Sequence, residues 1–340
     1  MTEALLALAR RCQPELEAAP LRVEPLAGGG NNRLYRIDAP DGSCVLKHYF
    51  RHPGQSRDRL GSEYAFLSRA WEAGVRCVPR PLGKDEGQGM GLYGFVPGRR
   101  PAAGEVGRFE VLQALEFLEA VNRPAPSAVP PLGQAAEACF SVPEHVQVVD
   151  RRMARLLAME VHEDVDAQAA RFVREKLQPA YREVRARALA RAGSGAAPWA
   201  GPLAVADRVI SPSDFGFHNA LRGEGGRLAF LDFEYAGWDD PAKLVCDFFY
   251  QPAVPAPGPC FDEFTRGVAA LVQDGAGTLA RVELLRPLLG LKWCCIVLNH
   301  FSAIDLARRT FASAGAADAK AEQLEKARRL LDGILARGEG

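Results

Sequence analysis

Two neighbouring segments point to the fold of this chain: Ser211-Pro-Ser-Asp-Phe-Gly-Phe-His-Asn219 and Leu231-Asp232-Phe-Glu234. They place Asp214, Asn219 and Asp232 within one short window. The first two lie on a predicted loop, and the third follows an apolar run that predicts a strand. Carboxylate and amide oxygens are hard donors that suit Mg²⁺, and a loop aspartate can accept a proton. The spacing therefore favours the layout of kinase-type phosphoryl transfer.

The composition is typical of a folded chain large enough for two lobes. Of 340 residues, 48% are hydrophobic and 25% are charged, so the chain can bury a core. Its 42 basic and 42 acidic residues give zero net charge, so we expect neither nucleic acid nor an anionic membrane as a partner. No run reaches the roughly 18 apolar residues of a membrane span, and the acidic start does not suggest a signal peptide. Eight scattered cysteines without a C-x-x-C pair favour free thiols and a cytoplasmic location.

Predicted strands give way to predicted helices along the chain. The patterns predict a helix at 57–73 and five strands, at 21–25, 33–38, 43–49, 78–82 and 90–96. After a hinge at Pro97-Gly98 the patterns are helical, with a break at Pro179 and a new helix after Asp240. We therefore expect an α+β fold of two lobes. Residues 1–97 would form an antiparallel sheet with one main helix, and residues 98–340 a larger, mostly helical lobe.

A glycine-rich run lies between the first two predicted strands. Gly28, Gly29, Gly30 and Asn31 could form a lid whose backbone amides approach the phosphates of a nucleotide. A flexible hairpin is the alternative interpretation. The run fits neither the Walker A pattern nor the dinucleotide pattern, so those two classes are not supported.

Four further residues in the predicted N-terminal lobe suit a nucleotide. Lys47, on the third predicted strand, could face the α- and β-phosphates, and Glu63 on the following helix could pair with it. The alternative is an edge lysine and an ordinary helix glutamate. At the end of the last strand, the Gly94 carbonyl and the Val96 amide could bind an adenine ring. The order of these motifs favours the nucleotide interpretation.

In this order, the motifs resemble the aminoglycoside phosphotransferase family, which belongs with choline kinase and other small-molecule kinases within the protein-kinase-like fold. The match covers roughly residues 20–250, and its most specific part is residues 214–241, which end in Tyr235-Ala-Gly-Trp-Asp-Asp-Pro241. The resemblance implies ATP and Mg²⁺ as cofactors. It implies a small-molecule hydroxyl as the phosphate acceptor, on an amino sugar, an amino alcohol, a sugar or an antibiotic.

The resemblance also implies roles for individual residues. Asp214 resembles the catalytic aspartate that orients the acceptor hydroxyl and takes its proton. Asn219 and Asp232 resemble the two metal-binding positions, and Lys47 and Glu63 resemble the phosphate-binding ion pair. Metal and lysine would supply most of the stabilisation of the charge that develops on the transferred group.

Two positions depart from the pattern of the family. Pro212-Ser213 stand where the family usually has His-Gly, and we expect Pro212 to stiffen the loop in place of the histidine. Glu234 stands where protein kinases have glycine. The alternative function is therefore a catalytically weak or inactive kinase-like regulator that binds nucleotide. A protein kinase is disfavoured because no activation-loop segment follows Asp232.

For several other polar residues the sequence allows two interpretations or indicates no role. His218 is either a metal ligand or a histidine that packs within the loop. Asp239 and Asp240 could form an acidic wall for a cationic substrate, although Asp240 is more simply a helix cap. Asp247 has no assigned role, and His300 could reach the substrate cleft. The sequence patterns do not identify the phosphate acceptor. They also do not determine the preference between ATP and GTP or the number of subunits.

Overall fold

A computed structural model describes residues 2–12, 20–26, 32–40, 42–51, 57–124, 131–194, 199–301 and 317–338. The smaller lobe contains two helices and a sheet of five antiparallel strands, in the order β1-β2-β3-β5-β4. These elements are α1 (Thr2–Cys12), β1 (Arg22–Leu26), β2 (Arg33–Ala39), β3 (Gly42–His48), α2 (Arg59–Glu72), β4 (Pro81–Asp85) and β5 (Met90–Gly94). The predicted antiparallel sheet with one main helix is confirmed, and the predicted boundary between residues 97 and 98 stays a prediction.

The central strand β3 presents different side chains to the two faces of the sheet, because successive residues of a strand point in opposite directions. Leu46 is fully buried and belongs to a small apolar cluster with Leu8 and Ala9 of α1. Lys47, the next residue, contacts Glu63 of α2 instead. The alternation therefore buries one face under α1 and turns a charged residue toward α2.

The larger lobe is mostly helical, as the sequence predicts. Its helices are α3 (Arg108–Asn122), α4 (Val142–Leu157), α5 (Asp164–Phe172), α6 (Gln178–Gly193), α7 (Pro241–Tyr250), α8 (Phe261–Ala269), α9 (Gly275–Val297) and α10 (Ala317–Gly338). Its short strands are β6 (Val209–Ser211), β7 (Ala220–Arg222), β8 (Leu228–Phe230) and β9 (Gly237–Asp239), which pair as β6 with β9 and β7 with β8. One apolar core runs through this lobe and continues under α2 of the smaller lobe.

The predicted helix break at Pro179 is wrong. The backbone stays helical from α5 through a wider π-helical turn, Val173–Leu177, into α6. Pro179 occupies the first turn of α6 and has no N–H to donate, and the wider turn before it accommodates the proline ring. The interruption lies instead at residues 158–163, between α4 and α5.

A buried ion pair ties the start of α7 to α9. Asp240 is the N-cap of α7 and accepts a hydrogen bond from the Ala242 amide at 2.8 Å. Its other carboxylate oxygen lies 2.7 Å from Arg281 Nε and 2.9 Å from His145 Nε2. Burial would raise the pKa of Asp240, but Arg281 and His145 outweigh it and lower the pKa to about 2. Because Asp240 is 0% exposed, the helix-cap interpretation is confirmed and the acidic wall is wrong.

Two more carboxylates of this region are buried against lysines. Asp239, also 0% exposed, pairs with Lys243, so it offers no free charge to a substrate. Asp247 lies 2.6 Å from Lys292 Nζ and accepts a hydrogen bond from Trp293 Nε1 at 2.8 Å. Asp247, to which the sequence assigned no role, therefore joins α7 to α9.

All eight cysteines are free thiols, as their scattered positions predict. Cys294 and Cys295 are both completely buried in α9. Within the described part of the chain, no helix is both long and apolar enough to cross a membrane.

Candidate active site

The loop that carries Asp214 is anchored at its base by α3. The side chain of Asn122 accepts a hydrogen bond from the Ile210 amide at 2.7 Å and donates one to the Ile210 carbonyl at 3.0 Å. The Ser211 hydroxyl then accepts a hydrogen bond from the amide of Ser213, whose φ is +69°. A left-handed φ is costly for a residue other than glycine, and such strain clusters at functional sites.

A short turn brings two further polar side chains to Asp214. In the 3₁₀ turn Phe217–Asn219, His218 Nε2 lies 3.2 Å from Asp214 Oδ1. Asn219 Nδ2 donates to the Asp214 carbonyl at 3.0 Å and lies 3.4 Å from Asp214 Oδ2. Because the amide nitrogen of Asn219 is used in this way, its oxygen is left for another partner.

The hairpin of β7 and β8 joins Asn219 to Asp232. Leu231 donates its amide to the Asn219 carbonyl at 2.8 Å, which closes the hairpin directly beside both residues. Asp232 has φ +66°, a second left-handed residue at this site. The side chains of Asp214 and Asp232 are each 39% exposed, so both carboxylates are open to the cleft.

Lys47 links the two lobes at this point. Its ammonium lies 2.7 Å from Glu63 Oε2 and also contacts Asp232 Oδ1. Burial would lower the pKa of Lys47, but Asp232, Glu63 and Glu234 outweigh it and hold the pKa well above its usual value. Desolvation would raise the pKa of Asp232, but Lys47 outweighs it and lowers that pKa. The lysine is therefore a fixed positive charge and Asp232 a carboxylate.

Glu63 is held in place from several sides. Its Oε2 also accepts a hydrogen bond from the Tyr49 hydroxyl at 2.6 Å, and that hydroxyl lies 2.7 Å from the Tyr93 hydroxyl. Its Oε1 accepts a hydrogen bond from the Phe233 amide at 3.3 Å. Glu63 thus orients Lys47 and also contacts the backbone beside Asp232.

Glu234 is also part of this cluster, although the sequence did not predict it as a site residue. It is 0% exposed, lies 3.7 Å from Lys47 Nζ and accepts a hydrogen bond from Asn32 Nδ2 at 2.7 Å. Within the described part of the chain its Oε1 has no hydrogen-bond partner, and it lies 3.6 Å from Arg59 Nη1. Burial raises the pKa of Glu234. The only signal in the sequence was the position of this carboxylate two residues after Asp232.

These groups surround a cavity of about 450 Å³ between the lobes. The predicted site residues that line it are Lys47, Glu63, Gly94, Val96, Asp214, Asn219 and Asp232. His218 and Arg100 line it as well, whereas Asp247 and His300 do not. Gly28, Gly29, Gly30 and Asn31 lie outside the described residues, although Leu26 and Asn32 on either side of them line the cavity.

The cavity has both apolar and charged lining residues. Leu34, Val45 and Leu221 line it together with Gly94 and Val96, so a flat ring would find apolar surface there. Lys47 and the carboxylates of Asp214 and Asp232 line the same space. The size and this combination suit a ligand with an apolar ring and a phosphate chain.

Comparison with known proteins agrees with this geometry. The chain belongs to the phosphotransferase enzyme family, whose sequence model matches residues 22–251. It is therefore a small-molecule kinase of a family that uses ATP. The predicted family resemblance is confirmed. A comparison with curated proteins finds no significant match.

Solved structures show the same kinase-like fold. Spectinomycin phosphotransferase in complex with ADP and spectinomycin is 12% identical, with a TM-score of 0.60 and coverage of 96% of this chain and 97% of that one. Choline kinase from Streptococcus pneumoniae is 14% identical, with a TM-score of 0.57 and coverage of 98% and 99%. A choline/ethanolamine kinase family protein from Mesorhizobium loti is 18% identical, with a TM-score of 0.58 and coverage of 97% and 94%.

Proposed function

We propose that this protein transfers the γ-phosphoryl group of ATP to a hydroxyl group of a small molecule, in a reaction that depends on Mg²⁺. The observation that carries the proposal is the convergence of Lys47, Asp214, Asn219 and Asp232 on one cavity of about 450 Å³. Choline and spectinomycin, which the similar structures name, are the first acceptors to test. An amino sugar, another amino alcohol, a sugar or another antibiotic would be further candidates.

In this reaction Asp214 would orient the acceptor hydroxyl and take its proton. Its carboxylate is open to the cleft, and His218 and Asn219 hold it in one orientation. A positioned base of this kind commonly contributes ~10²–10⁴-fold to the rate. Asp214 also lines the same cavity as the Gly94 and Val96 backbone, so an acceptor and a nucleotide could meet there.

Lys47 would hold the phosphate chain. Its contact with Glu63 fixes the ammonium from its own lobe, and the surrounding carboxylates keep it charged. A fixed cation stabilises negative charge on phosphate oxygens without reorganisation during the reaction. Nucleotide phosphates would compete with Asp232 for this ammonium.

The donor atoms near Lys47 fit a divalent cation. Asp232 and the free amide oxygen of Asn219 would be the ligands, both of them hard oxygen donors. The carboxylates of Glu63 and Glu234 have oxygens within 4.8 Å of an Asp232 oxygen, but both already face the Lys47 ammonium, so of these three Asp232 would be the ligand of the ion. Bound Mg²⁺ would neutralise charge on the phosphate oxygens.

The test measures acceptor-dependent release of ADP from Mg·ATP by wild type and by Asp214→Asn. We expect the variant to lose ~10²–10⁴-fold in kcat, with little change in the KM for ATP. Asp262→Asn is the matched control, since this exposed residue lies at the start of α8. The control should retain full activity, and all three proteins should melt at similar temperatures.

Two outcomes would contradict the proposal. Equal turnover by wild type and Asp214→Asn would remove Asp214 from its role as base. Binding of Mg·ATP by wild type without turnover for any acceptor would favour the alternative, a kinase-like regulator. The sequence feature that favours this alternative is Pro212-Ser213, which stands where the family usually has His-Gly.

A further inference from the structure

A second cavity, of about 470 Å³, lies outside the nucleotide cleft. Three parts of the molecule form its walls: the Val75–Cys77 loop after α2, one face of α3, and the β7–β8 hairpin. Pro97, in the segment that joins the lobes, is also a lining residue. Among the residues that the structure describes, the two cavities share no lining residue. The volume of the second cavity falls within the range of small-molecule sites, roughly 300–1,000 Å³.

The lining of this cavity is largely apolar. It includes Phe117 of α3 and Phe230 of β8, which are almost completely buried and stack with their ring centroids 4.8 Å apart. Accessible apolar surface in the same lining comes from Pro97, Ala120 and Ala229. A flat apolar group could pack here favourably, because burial against apolar side chains would remove its faces from water.

The rim of the cavity carries an excess of positive charge. Two guanidinium groups, of Arg76 and Arg227, stand against one carboxylate, that of Glu116. Arg227 Nη2 lies 4.0 Å from Glu116 Oε2, and the two side chains are 71% and 64% exposed. Such an exposed pair is weak, so an anion can compete for Arg227. The Arg76 guanidinium lies 4.2 Å from the centre of the Trp71 ring, which holds it at the rim.

We propose that this cavity binds a small amphipathic organic anion. Its flat apolar group would pack on the apolar surface of Pro97, Ala120 and Ala229, and its carboxylate or sulfonate would face Arg227 and Arg76. The site is separate from the nucleotide cleft and does not depend on the proposed reaction.

The position of this site gives it contact with the catalytic loop through one layer of rings. Phe117 lies 5.6 Å from Phe215 and 6.0 Å from Phe233, measured between ring centroids. Phe215 and Phe233 directly follow Asp214 and Asp232 in the chain. Phe117 therefore connects the lining of this cavity to the residues that follow both aspartates.

The first experiment measures the fluorescence of anilinonaphthalene sulfonate as it binds in the presence of saturating Mg·ADP, which fills the cleft. We expect saturable binding that Arg227→Glu weakens about fivefold, since an exposed charge pair is worth up to about 1 kcal/mol. The uncharged analogue phenylnaphthylamine should bind wild type and Arg227→Glu equally. The matched control Arg329→Glu, on α10, should leave both affinities unchanged. Loss of binding in the presence of Mg·ADP, or equal affinity for wild type and Arg227→Glu, would overturn the proposal.

The second experiment uses the wild-type protein, so it does not depend on the folding of a variant. Cys77 in the cavity wall and Cys12 on α1 are both partly exposed, whereas the other six cysteines are buried. Mass spectrometry would follow the rate at which N-ethylmaleimide labels each thiol. We expect anilinonaphthalene sulfonate to slow the labelling of Cys77 several-fold and to leave Cys12 unchanged. Equal rates at Cys77 with and without the probe would overturn the proposal.

Discussion

Asp240 holds a buried cation at the start of α7, and its replacement by alanine should destabilise the protein more than the loss of an ordinary helix cap. Asp240→Ala removes the partner of Arg281, which is 1% exposed. Leaving a buried charge without its partner costs roughly 3–5 kcal/mol. The lost hydrogen bond to the Ala242 amide costs about 1 kcal/mol more. The free energy of unfolding should therefore fall by about 5 kcal/mol.

This free energy converts into a melting temperature. Unfolding entropy is roughly 2.1 cal/mol/K per residue, or ~0.7 kcal/mol/K for a chain of 340 residues. A loss of about 5 kcal/mol then lowers Tm by ~7 °C. The assay is a thermal melt at pH 7, followed by circular dichroism.

Asp274→Ala is the matched control for this prediction. Asp274 is the N-cap of α9 and accepts a hydrogen bond from the Gly277 amide at 2.8 Å, but it is exposed. Its loss should cost only about 1 kcal/mol, or ~1–2 °C. The double variant Asp240→Ala/Arg281→Met should recover most of the loss, because no buried charge remains unpaired. Equal melting temperatures for Asp240→Ala and Asp274→Ala, or a double variant no more stable than Asp240→Ala, would refute the reasoning.

Acid should also remove the contribution of Asp240 to stability, since its pKa is lowered to about 2 from the usual 3.8. A lowered carboxyl pKa contributes stability above pH ~4 that is lost as the pH falls toward 2, here about 2 kcal/mol. Other carboxyl groups with lowered pKa values, such as Asp247, also lose stability in this range. Urea unfolding should therefore show that wild type loses about 2 kcal/mol more than Asp240→Asn as the pH falls. Gly237→Ala should unfold the protein at markedly lower temperature, because the new Cβ would meet backbone atoms of Gly133 and Gln134 at 2.5 Å. Gly258→Ala, with nothing within 4 Å of its Cβ, should melt like wild type, and similar melting of both variants would contradict this packing.

The fold could be predicted because local signals agree with tertiary structure in most of the chain. The apolar run Cys44-Val-Leu46 marks β3, and Asp240-Pro241 marks the start of α7. The start of α4 at Val142 was missed, although Ser141-Val-Pro-Glu144 is a capping-box pattern and the structure has both of its hydrogen bonds. That error came from an overlooked local signal.

The candidate site was predictable only where residue type and order carry the information. Asp214, Asn219 and Asp232 stand out because hard oxygen donors are rare in so short a window. The buried position of Glu234 could not be deduced, because it depends on Asn32, a residue 202 positions away in the chain. The left-handed φ of Ser213 was equally hidden, since a serine gives no local preference for that conformation.

The β7–β8 hairpin gives Asn219 and Asp232 a common carrier. The two residues lie at the two ends of this short hairpin, where the Leu231 amide donates a hydrogen bond to the Asn219 carbonyl. Opening or closing of the lobes would change the distance from the hairpin to Lys47. It would not change the distance between the side-chain oxygens of Asn219 and Asp232. The two proposed protein ligands of a divalent ion would therefore keep their spacing in an open or a closed molecule. What closure would change is the contact of Lys47 with Asp232 and with the phosphate chain.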